Sequence, residues 1–275
     1  MTPLAQRIVK ELALPERERT YVDHAGVLGE MSNVRCFEVT EILDAVKAVL
    51  TTGISEADGG SEAMGERVAE IAGQTSFLPA PKTWIEWAGG GARIGFLLQA
   101  DEGADFAFVR MVSYDPTRTS HPVRSADFAY TIGLAARGGS PNHYHASRDL
   151  TPAEEQDVGD FTATLHGVLA FINARRMIGR QDHGVHKGLQ KRLSQAGADV
   201  VLHPWTEIKL SVSPSAAGGE EAVGERLIGQ RALHFCRSHL RLRRGRLEIV
   251  RAHWRGDAAL GMKQTRYRVT DEGAA

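Results

Sequence analysis

The chain is poor in cysteine and has no long apolar run, and these two absences exclude whole classes of protein. Cys36 and Cys236 are its two cysteines, and their wide separation matches neither a zinc motif nor a disulfide framework. We therefore predict free thiols in a reducing compartment. No stretch approaches the roughly 18 apolar residues of a membrane span, and the N-terminus lacks the apolar core of a secretory signal. These features predict a cytoplasmic protein with no membrane contact.

Signatures of nucleotide and nicotinamide chemistry are also missing. The sequence contains no Gly-x-x-x-x-Gly-Lys loop, no Gly-x-Gly-x-x-Gly after a strand, and no Gly-x-Ser-x-Gly elbow. The run 89–91 is three glycines, which we interpret as a turn between two strands rather than as a phosphate-binding loop. We therefore expect no cofactor, and no reaction is fixed by a motif.

Charge is divided unevenly along the chain. Residues 226–268 carry eleven arginines and one lysine against two acids, which makes this segment +10. Because the whole chain is −1, the remainder is −11. Arginine forms bidentate contacts with phosphates and carboxylates. This segregation of charge is the clearest functional signal in the sequence.

Apolar periodicity predicts an α+β fold with a helical N-terminal part. Helices are expected over residues 1–12, 40–52, 61–72, 151–177 and 188–196. The fourth of these has the clearest start, because Thr151-Pro152-Ala153-Glu154 is a capping box with proline at the first helical position. Leu165 and Leu169 lie on its apolar stripe, so we expect this long helix to pack on a sheet.

The apolar period changes from 3.6 to 2 in the middle of the chain. Glycine-rich turns separate short apolar runs that predict an antiparallel meander. The expected strands are 83–88, 93–100, 105–113 and 128–136, with another at 206–212. Residues 213–219 are small and polar, and we interpret them as a linker. The organisation is then a helical region 1–75, an α+β core 76–212 and a basic β-rich module 220–270, or one domain containing all three.

The basic module is predicted to contain a β-hairpin. Residues 233–242 and 246–254 flank a two-residue turn, and a third strand is expected at 265–269. The pairing sets Arg243 opposite Arg246, and like charges at directly opposite positions cost stability unless an anion covers them. We therefore predict a nucleic-acid surface in which Trp254 stacks on bases. The predicted residues of this nucleic-acid surface are Arg237, Arg241, Arg243, Arg244, Arg246, Arg251, Trp254 and Arg255. Docking on the acidic remainder and binding of small anions stay open as alternatives.

Histidines provide two further hypotheses. His239 and His253 lie in the basic module, where neighbouring arginines favour a neutral imidazole, so they are weak candidates for the general base of a metal-free ribonuclease. A structural role in the hairpin is the competing interpretation. Four other histidines lie in predicted loops and could together ligate a metal, but they follow no metal motif, and we expect no metal site. They are His143, His145, His183 and His186.

Part of the sequence resembles the tails of bacteriophage and prophage proteins of unknown function. The resemblance rests on His-Phe-Cys-Arg-Ser-His at 234–239, His-Trp-Arg-Gly-Asp at 253–257, and Arg-Tyr-Arg-Val at 266–269. The segment Phe-Leu-Pro-Ala-Pro at 77–81, followed by Trp-Ile-Glu-Trp at 84–87, has the same character. The resemblance covers about a fifth of the chain. It implies a phage or mobile-element setting in a bacterial host cell, and it brings no catalytic residue.

Three hypotheses follow from these observations. The leading one is a phage-type accessory protein that binds nucleic acid, or a nucleoprotein complex, through the arginine-rich hairpin. The second is a metal-independent nuclease that uses hairpin histidines and arginines. The third is a protein-binding inhibitor of a host defence system, because residues 38–70 carry eight acids against two bases and could imitate nucleic acid. Whether the chain is an enzyme stays open.

Overall fold

A computed structural model describes residues 1–51, 60–101, 104–135, 145–174 and 178–210, and the backbone of strands 232–236, 239–243, 246–250, 253–255 and 257–262. The described helices are α1 (Pro3–Lys10), α2 (Val27–Glu30), α3 (Leu43–Thr51), α4 (Gly60–Thr75), α5 (Pro152–Asn173) and α6 (Lys187–Gln195). The described strands are β1 (Arg35–Glu38), β2 (Lys82–Gly89), β3 (Ala92–Gln99), β4 (Phe106–Tyr114), β5 (Val123–Gly133), β6 (Ile178–His183), β7 (Trp205–Leu210), β8 (Ala232–Cys236), β9 (His239–Arg243), β10 (Arg246–Val250), β11 (His253–Arg255) and β12 (Asp257–Met262). The protein is therefore of the α+β class, as predicted.

Strands β1 to β7 form one sheet in the order β5-β4-β3-β2-β1-β7-β6. The meander β2 to β5 is antiparallel, as the alternating apolar runs predicted. Strand β1, however, pairs parallel with both β2 and β7. The prediction of a purely antiparallel sheet was wrong, and the sheet is mixed. Helices α3 and α4 lie between β1 and β2 in the chain, and a helical connection of this kind is what two parallel neighbours require.

Two strands of the sheet were missed from the sequence. Strand β1 has four residues and gives no alternation, because Cys36 and Phe37 are both fully buried on opposite faces. Strand β6 is a polar strand at the end of the sheet, with Ile178 as its one buried residue. Neither strand carries the period-2 pattern by which a half-buried strand is recognised.

Helices cover both faces of the sheet and create two cores. On one face, α3, α4 and α5 pack against a layer that includes Phe37, Ile85 and Phe96. On the other face, α1 and α6 pack against a layer that includes Trp84 and Leu97. Successive residues of a strand point to opposite faces, so neighbouring positions of β2 and β3 supply different cores.

Helix α5 begins as its sequence predicted. The Thr151 side chain accepts from the Glu154 amide, and the Glu154 carboxylate accepts from the Thr151 amide, so both halves of the capping box are present. Leu165 and Leu169 are fully buried, which confirms the predicted core face. The helix ends at Asn173, a few residues before the predicted end.

Glycine is required at two close approaches in these cores. A Cβ at Gly95 would lie 2.0 Å from the Trp84 ring, which therefore occupies the space above β3. A Cβ at Gly167 would lie 2.5 Å from Val46 Cγ1, so the missing side chain allows α5 to approach α3. Both contacts are far shorter than carbon atoms tolerate, and larger residues at these positions would force the elements apart.

A fully buried carboxylate joins α1 to the sheet. Glu86 of β2 accepts from the Leu4 amide at 2.9 and 3.0 Å and from the Ala5 amide at 3.3 Å. It also accepts from Trp84 Nε1 at 3.1 Å and from Arg93 Nη1 at 2.7 Å. The first amides of a helix have no partner within the helix, and the helix dipole favours a negative charge there. Glu86 therefore fixes the start of α1 on the sheet.

The structure describes the side chain of Cys36 but only the backbone of Cys236. Cys36 is a free, fully buried thiol, as predicted, and burial raises its pKa to about 12. A thiol with this pKa stays protonated at neutral pH and is a poor nucleophile. Cys236 belongs to β8, where only the strand pairing is described.

The strands beyond residue 231 form two smaller sheets. Strands β9 and β10 are an antiparallel pair, and β8 lies between β11 and β12. The predicted linker 213–219, the turn 244–245 and the predicted strand 265–269 lie outside the described residues. Among the described helices, none has the length and apolar character needed to cross a membrane. The division into three regions stays a prediction, although β1 of the first region lies inside the sheet of the second.

Substitutions in α5 test the packing of the long helix. Leu165→Ala should lower the free energy of unfolding by about 2–5 kcal/mol, because it leaves a cavity in the core. Thr151→Ala should lower it by about 0.5–2 kcal/mol, because the capping interaction is lost. Urea denaturation measures both changes. Asp157→Ala, at an exposed position of the same helix, is the control and should stay within about 0.5 kcal/mol of the wild type.

Replacement of the buried carboxylate tests the attachment of α1. Glu86→Gln should lower the free energy of unfolding by about 3–5 kcal/mol, because Arg93 loses its partner and an amide group faces the helix amides. Glu30→Gln is the matched control, since Glu30 pairs with Lys82 at the surface and should contribute no more than about 1 kcal/mol. Denaturant titration of both variants gives the comparison. Equal losses would contradict the role assigned to Glu86.

Candidate nucleic-acid interface

The arginine-rich strands β9 and β10 pair over five residues each. Their register sets Arg243 opposite Arg246 and Arg241 opposite Glu248. Because alternate residues share a strand face, these four positions lie on one face of the pair. Two like charges directly opposite each other destabilise a strand pair, and an anion beside them would offset the repulsion. The register therefore places three arginines and one glutamate on one face of the strand pair, and this excess of positive charge favours the binding of anions.

The remaining predicted residues divide between described strands and residues outside them. Strand β11 pairs with β8 so that Trp254 lies opposite Phe235 and Arg255 opposite His234. Arg237, Arg244 and Arg251 lie outside the described residues. The aromatic pair and the opposed arginines thus belong to two different described sheets.

The two candidate catalytic histidines also belong to different sheets. His239 of β9 lies opposite Val250, whereas His253 of β11 lies opposite Cys236. The nuclease hypothesis needs either histidine as the base and an arginine beside it. Only the strand pairing is described at these positions, so the hypothesis stays a prediction.

The loop histidines that we considered as metal ligands have other contacts. His183 Nε2 hydrogen-bonds Glu207 at 3.0 Å, and its ring stacks on Trp205 with centroids 3.9 Å apart. His186 Nδ1 accepts from the Leu189 amide at the start of α6. His143 lies outside the described residues. Within the part of the chain that the structure describes, no three His, Cys, Asp or Glu side chains form a metal-binding group.

A cationic groove that we did not predict lies between α1 and α6. It has a volume of about 600 Å³, and Arg7, Lys10 and Arg192 line it together with apolar residues such as Leu189. Lys10 and Arg192 have no salt-bridge partner among the described residues. Clefts lined by charge of one sign concentrate ligands of the opposite sign. The groove is therefore suited to an anionic ligand.

Contacts within the groove hold its charges in place. The Arg7 guanidinium lies over the Tyr114 ring, 4.4 Å from the centroid. Glu11, the acid of the groove, accepts from the Thr20 amide at 2.6 Å and from the Tyr21 amide at 3.2 Å. Its carboxylate is thus directed to the backbone. Sequence reasoning missed the groove because α1 and α6 are far apart in sequence, near the two ends of residues 1–210, which are called the body below. Each helix alone looks like an ordinary amphipathic surface helix.

The described acids of the run 38–70 differ in exposure. Glu38 is 7% exposed, and burial raises the pKa of its carboxyl above the ordinary value, while hydrogen bonds from Thr40 and the charge of Arg93 lower it in part. Glu41, Asp44 and Glu66 are exposed, and Glu41 lies 3.9 Å from Lys209. The inhibitor hypothesis therefore stays a prediction.

Many acids of the body already have partners within it. They accept hydrogen bonds from backbone amides, hydroxyl groups or basic side chains of the same body. The group comprises Glu11, Asp23, Glu30, Glu38, Glu86, Asp115, Asp127, Glu154, Asp182 and Glu207. Hydrogen bonds from Arg148 and Thr151 lower the pKa of Glu154 to about 2, for example. These carboxylates are poorly available to neutralise the arginines of residues 226–268.

Comparison with protein-family models, curated proteins and solved structures found no match to the chain. The resemblance to phage proteins therefore stays a prediction.

Proposed function

We propose that this protein binds nucleic acid through its arginine-rich C-terminal strands, as an accessory protein of the bacteriophage type. The register that sets Arg243 opposite Arg246, with Arg241 on the same face, is the observation that carries the proposal. Arginine forms bidentate hydrogen bonds with phosphate, and phosphate and sugar receive most of the hydrogen bonds between proteins and DNA. The net charge of the segment, +10, gives the long-range attraction.

The main competing explanation is that the basic segment docks on the acidic remainder of its own chain. Against it stands the large group of carboxylates that already have partners in the body. Asp127 and Glu154, for example, both bind Arg148, and Glu30 binds Lys82. Transfer of such a carboxylate to a new arginine would break an existing hydrogen bond, so the net gain would be small. An external polyanion has no such cost.

The cationic groove supports the same proposal from the described body. Arg7, Lys10 and Arg192 form a second basic surface that is independent of the C-terminal strands. A protein with two basic surfaces binds a polyanion more tightly than either surface alone, provided that both can contact the same molecule. We propose that the groove contributes phosphate contacts, while the C-terminal strands contribute most of the affinity.

Salt dependence tests the electrostatic part of the proposal. The logarithm of the association constant should fall linearly with the logarithm of salt concentration, by about 0.9 per phosphate contact on duplex DNA and about 0.7 on a single strand. Arg241→Gln/Arg243→Gln/Arg246→Gln should weaken binding and lower the slope by about 1 for each lost contact. Fluorescence anisotropy with labelled oligonucleotides at several salt concentrations measures both effects.

A matched variant controls for the change in net charge. Arg17→Gln/Lys47→Gln/Arg118→Gln also removes three positive charges, from exposed positions of the body outside both basic surfaces. It should leave the salt slope unchanged and reduce affinity only slightly. Absence of binding by the wild type at low salt would overturn the proposal. Equal losses in the two triple variants would show that net charge alone matters.

Incubation with nucleic acid tests the nuclease hypothesis. We expect no cleavage of single-stranded RNA or DNA, with or without a chelator, because no motif of the sequence fixes a reaction and the proposed role is binding alone. Denaturing gels measure the products. Chelator-resistant cleavage that is lost in His253→Ala would instead establish the metal-independent enzyme. Metal-dependent cleavage would direct attention to His143, His145, His183 and His186.

A further inference from the structure

Two phenylalanines of strand β4 lie exposed on the sheet. Phe106 and Phe108 of β4 are 47% and 51% exposed. Their rings meet edge to face, with centroids 5.4 Å apart and an interplanar angle of 84°. Alternate residues of a strand share one face, so both rings lie on the same side of the sheet. Adjacent exposed aromatic side chains on one sheet face are unusual unless they bind something.

The register explains why this part of the sheet is uncovered. Phe108 lies opposite Gln99, and Gln99 lies opposite Lys82, so one row of residues crosses β4, β3 and β2. Helix α1 covers the same face further along the strands, where Trp84 and Leu97 belong to the core. Because Glu86 fixes α1 there, the helix stops short of the row that contains Phe108.

A chain of polar contacts forms the rim of this surface. Lys82 Nζ lies 2.6 Å from Glu30 Oε2, and Gln99 Nε2 donates to the same oxygen at 2.9 Å. The Gln99 side-chain oxygen, Oε1, accepts a hydrogen bond from Arg110 Nη1. The hydrogen bond from Lys82, with smaller contributions from Gln99 and from the charge of Arg110, lowers the pKa of the Glu30 carboxyl. Arg110 forms no salt bridge among the described residues, and its positive charge lies beside the rings.

We propose that Phe106 and Phe108 form a stacking platform for the bases of single-stranded nucleic acid. Residues 106–109 read Phe-Ala-Phe-Val and match four consecutive positions of the eight-residue pattern by which RNA-recognition sheets present aromatic rings to bases. The pattern's preceding basic residue and glycine, and its final aromatic residue, are replaced by Ala104, Asp105 and Met111. Stacking on aromatic rings is tolerant of sequence and needs unpaired bases. Arg110 is suited to the adjoining phosphate. The surface, called the Phe106–Phe108 platform below, encloses a groove of about 340 Å³.

The charged residues around the platform favour one orientation of a bound nucleic-acid strand. Asp101 lines the groove together with Arg110, and a carboxylate repels phosphate. The sugar–phosphate backbone should therefore run along the Arg110 side, with the bases over the rings. A folded protein partner fits this surface less well, because it would desolvate Arg110 and the Lys82–Glu30 pair without providing a matching charge. Single-stranded nucleic acid would leave the polar rim solvated, and one of its phosphates would bind Arg110.

Ring-specific substitutions test the platform in the full chain. Phe106→Leu/Phe108→Leu keeps apolar side chains but loses the rings, and it should weaken binding of a short single strand roughly 5- to 150-fold for each base that no longer stacks. Phe106→Tyr/Phe108→Tyr keeps both rings and should retain affinity within about threefold. Phe77→Leu is the matched control, since Phe77 is an exposed phenylalanine elsewhere. Duplex affinity should be the same in all four proteins.

Photochemical crosslinking separates this proposal from the proposed function. A single strand carrying iodouracil should form adducts on the peptide that contains residues 106–110, and peptide mass spectrometry identifies the site. Adducts confined to the C-terminal strands, with full affinity in the leucine variant, would overturn the platform and leave the arginine-rich interface standing. Unchanged single-strand affinity in the leucine variant would also overturn it. Concentration-dependent dimers that the leucine variant abolishes would identify the occupant as a second copy of the chain.

Discussion

The carboxylate of Glu86 is the interaction on which the arrangement of the body depends. It is fully buried on the central part of the sheet and binds both the first amides of α1 and the Arg93 guanidinium. A charge in such a place is tolerable only when every oxygen has donors, and here a helix N-terminus provides them. The position of α1 follows, and with it the second core. The opposite end of α1 then brings Arg7 and Lys10 to the groove beside α6.

The same contact decides what the sheet leaves open. Helix α1 covers the face around Trp84 and Leu97, and Glu30 of α2 binds Lys82 and Gln99 of the neighbouring row, whereas Phe108 of that row is left exposed. Burial of the two exposed rings would have favoured folding by removing apolar surface from water. Their exposure leaves both rings available to a ligand. A surface of this kind offers stacking, whereas the arginine-rich strands offer charge, and the two modes complement each other on a single strand.

Charge is organised differently in the two parts of the molecule. In the body, carboxylates are bound by their own amides, hydroxyl groups and basic side chains, as Glu154 is by Arg148 and Thr151. In the C-terminal strands, arginine lies opposite arginine. A net charge near zero for the whole chain thus conceals a body in which many carboxylates have internal partners and a segment, 226–268, that carries +10.

The sequence by itself determined the local elements. The capping box at Thr151, the buried stripe through Leu165 and the meander strands follow from signals within a few residues of each other. Only the tertiary structure decided the parallel pairing of β1, the partners of Glu86 and the groove, because these contacts join distant segments and leave no local pattern. The Phe-Ala-Phe-Val run illustrates the division. Its alternation predicts a strand with one apolar face, but whether that face is buried depends on where α1 ends, which no local signal contains.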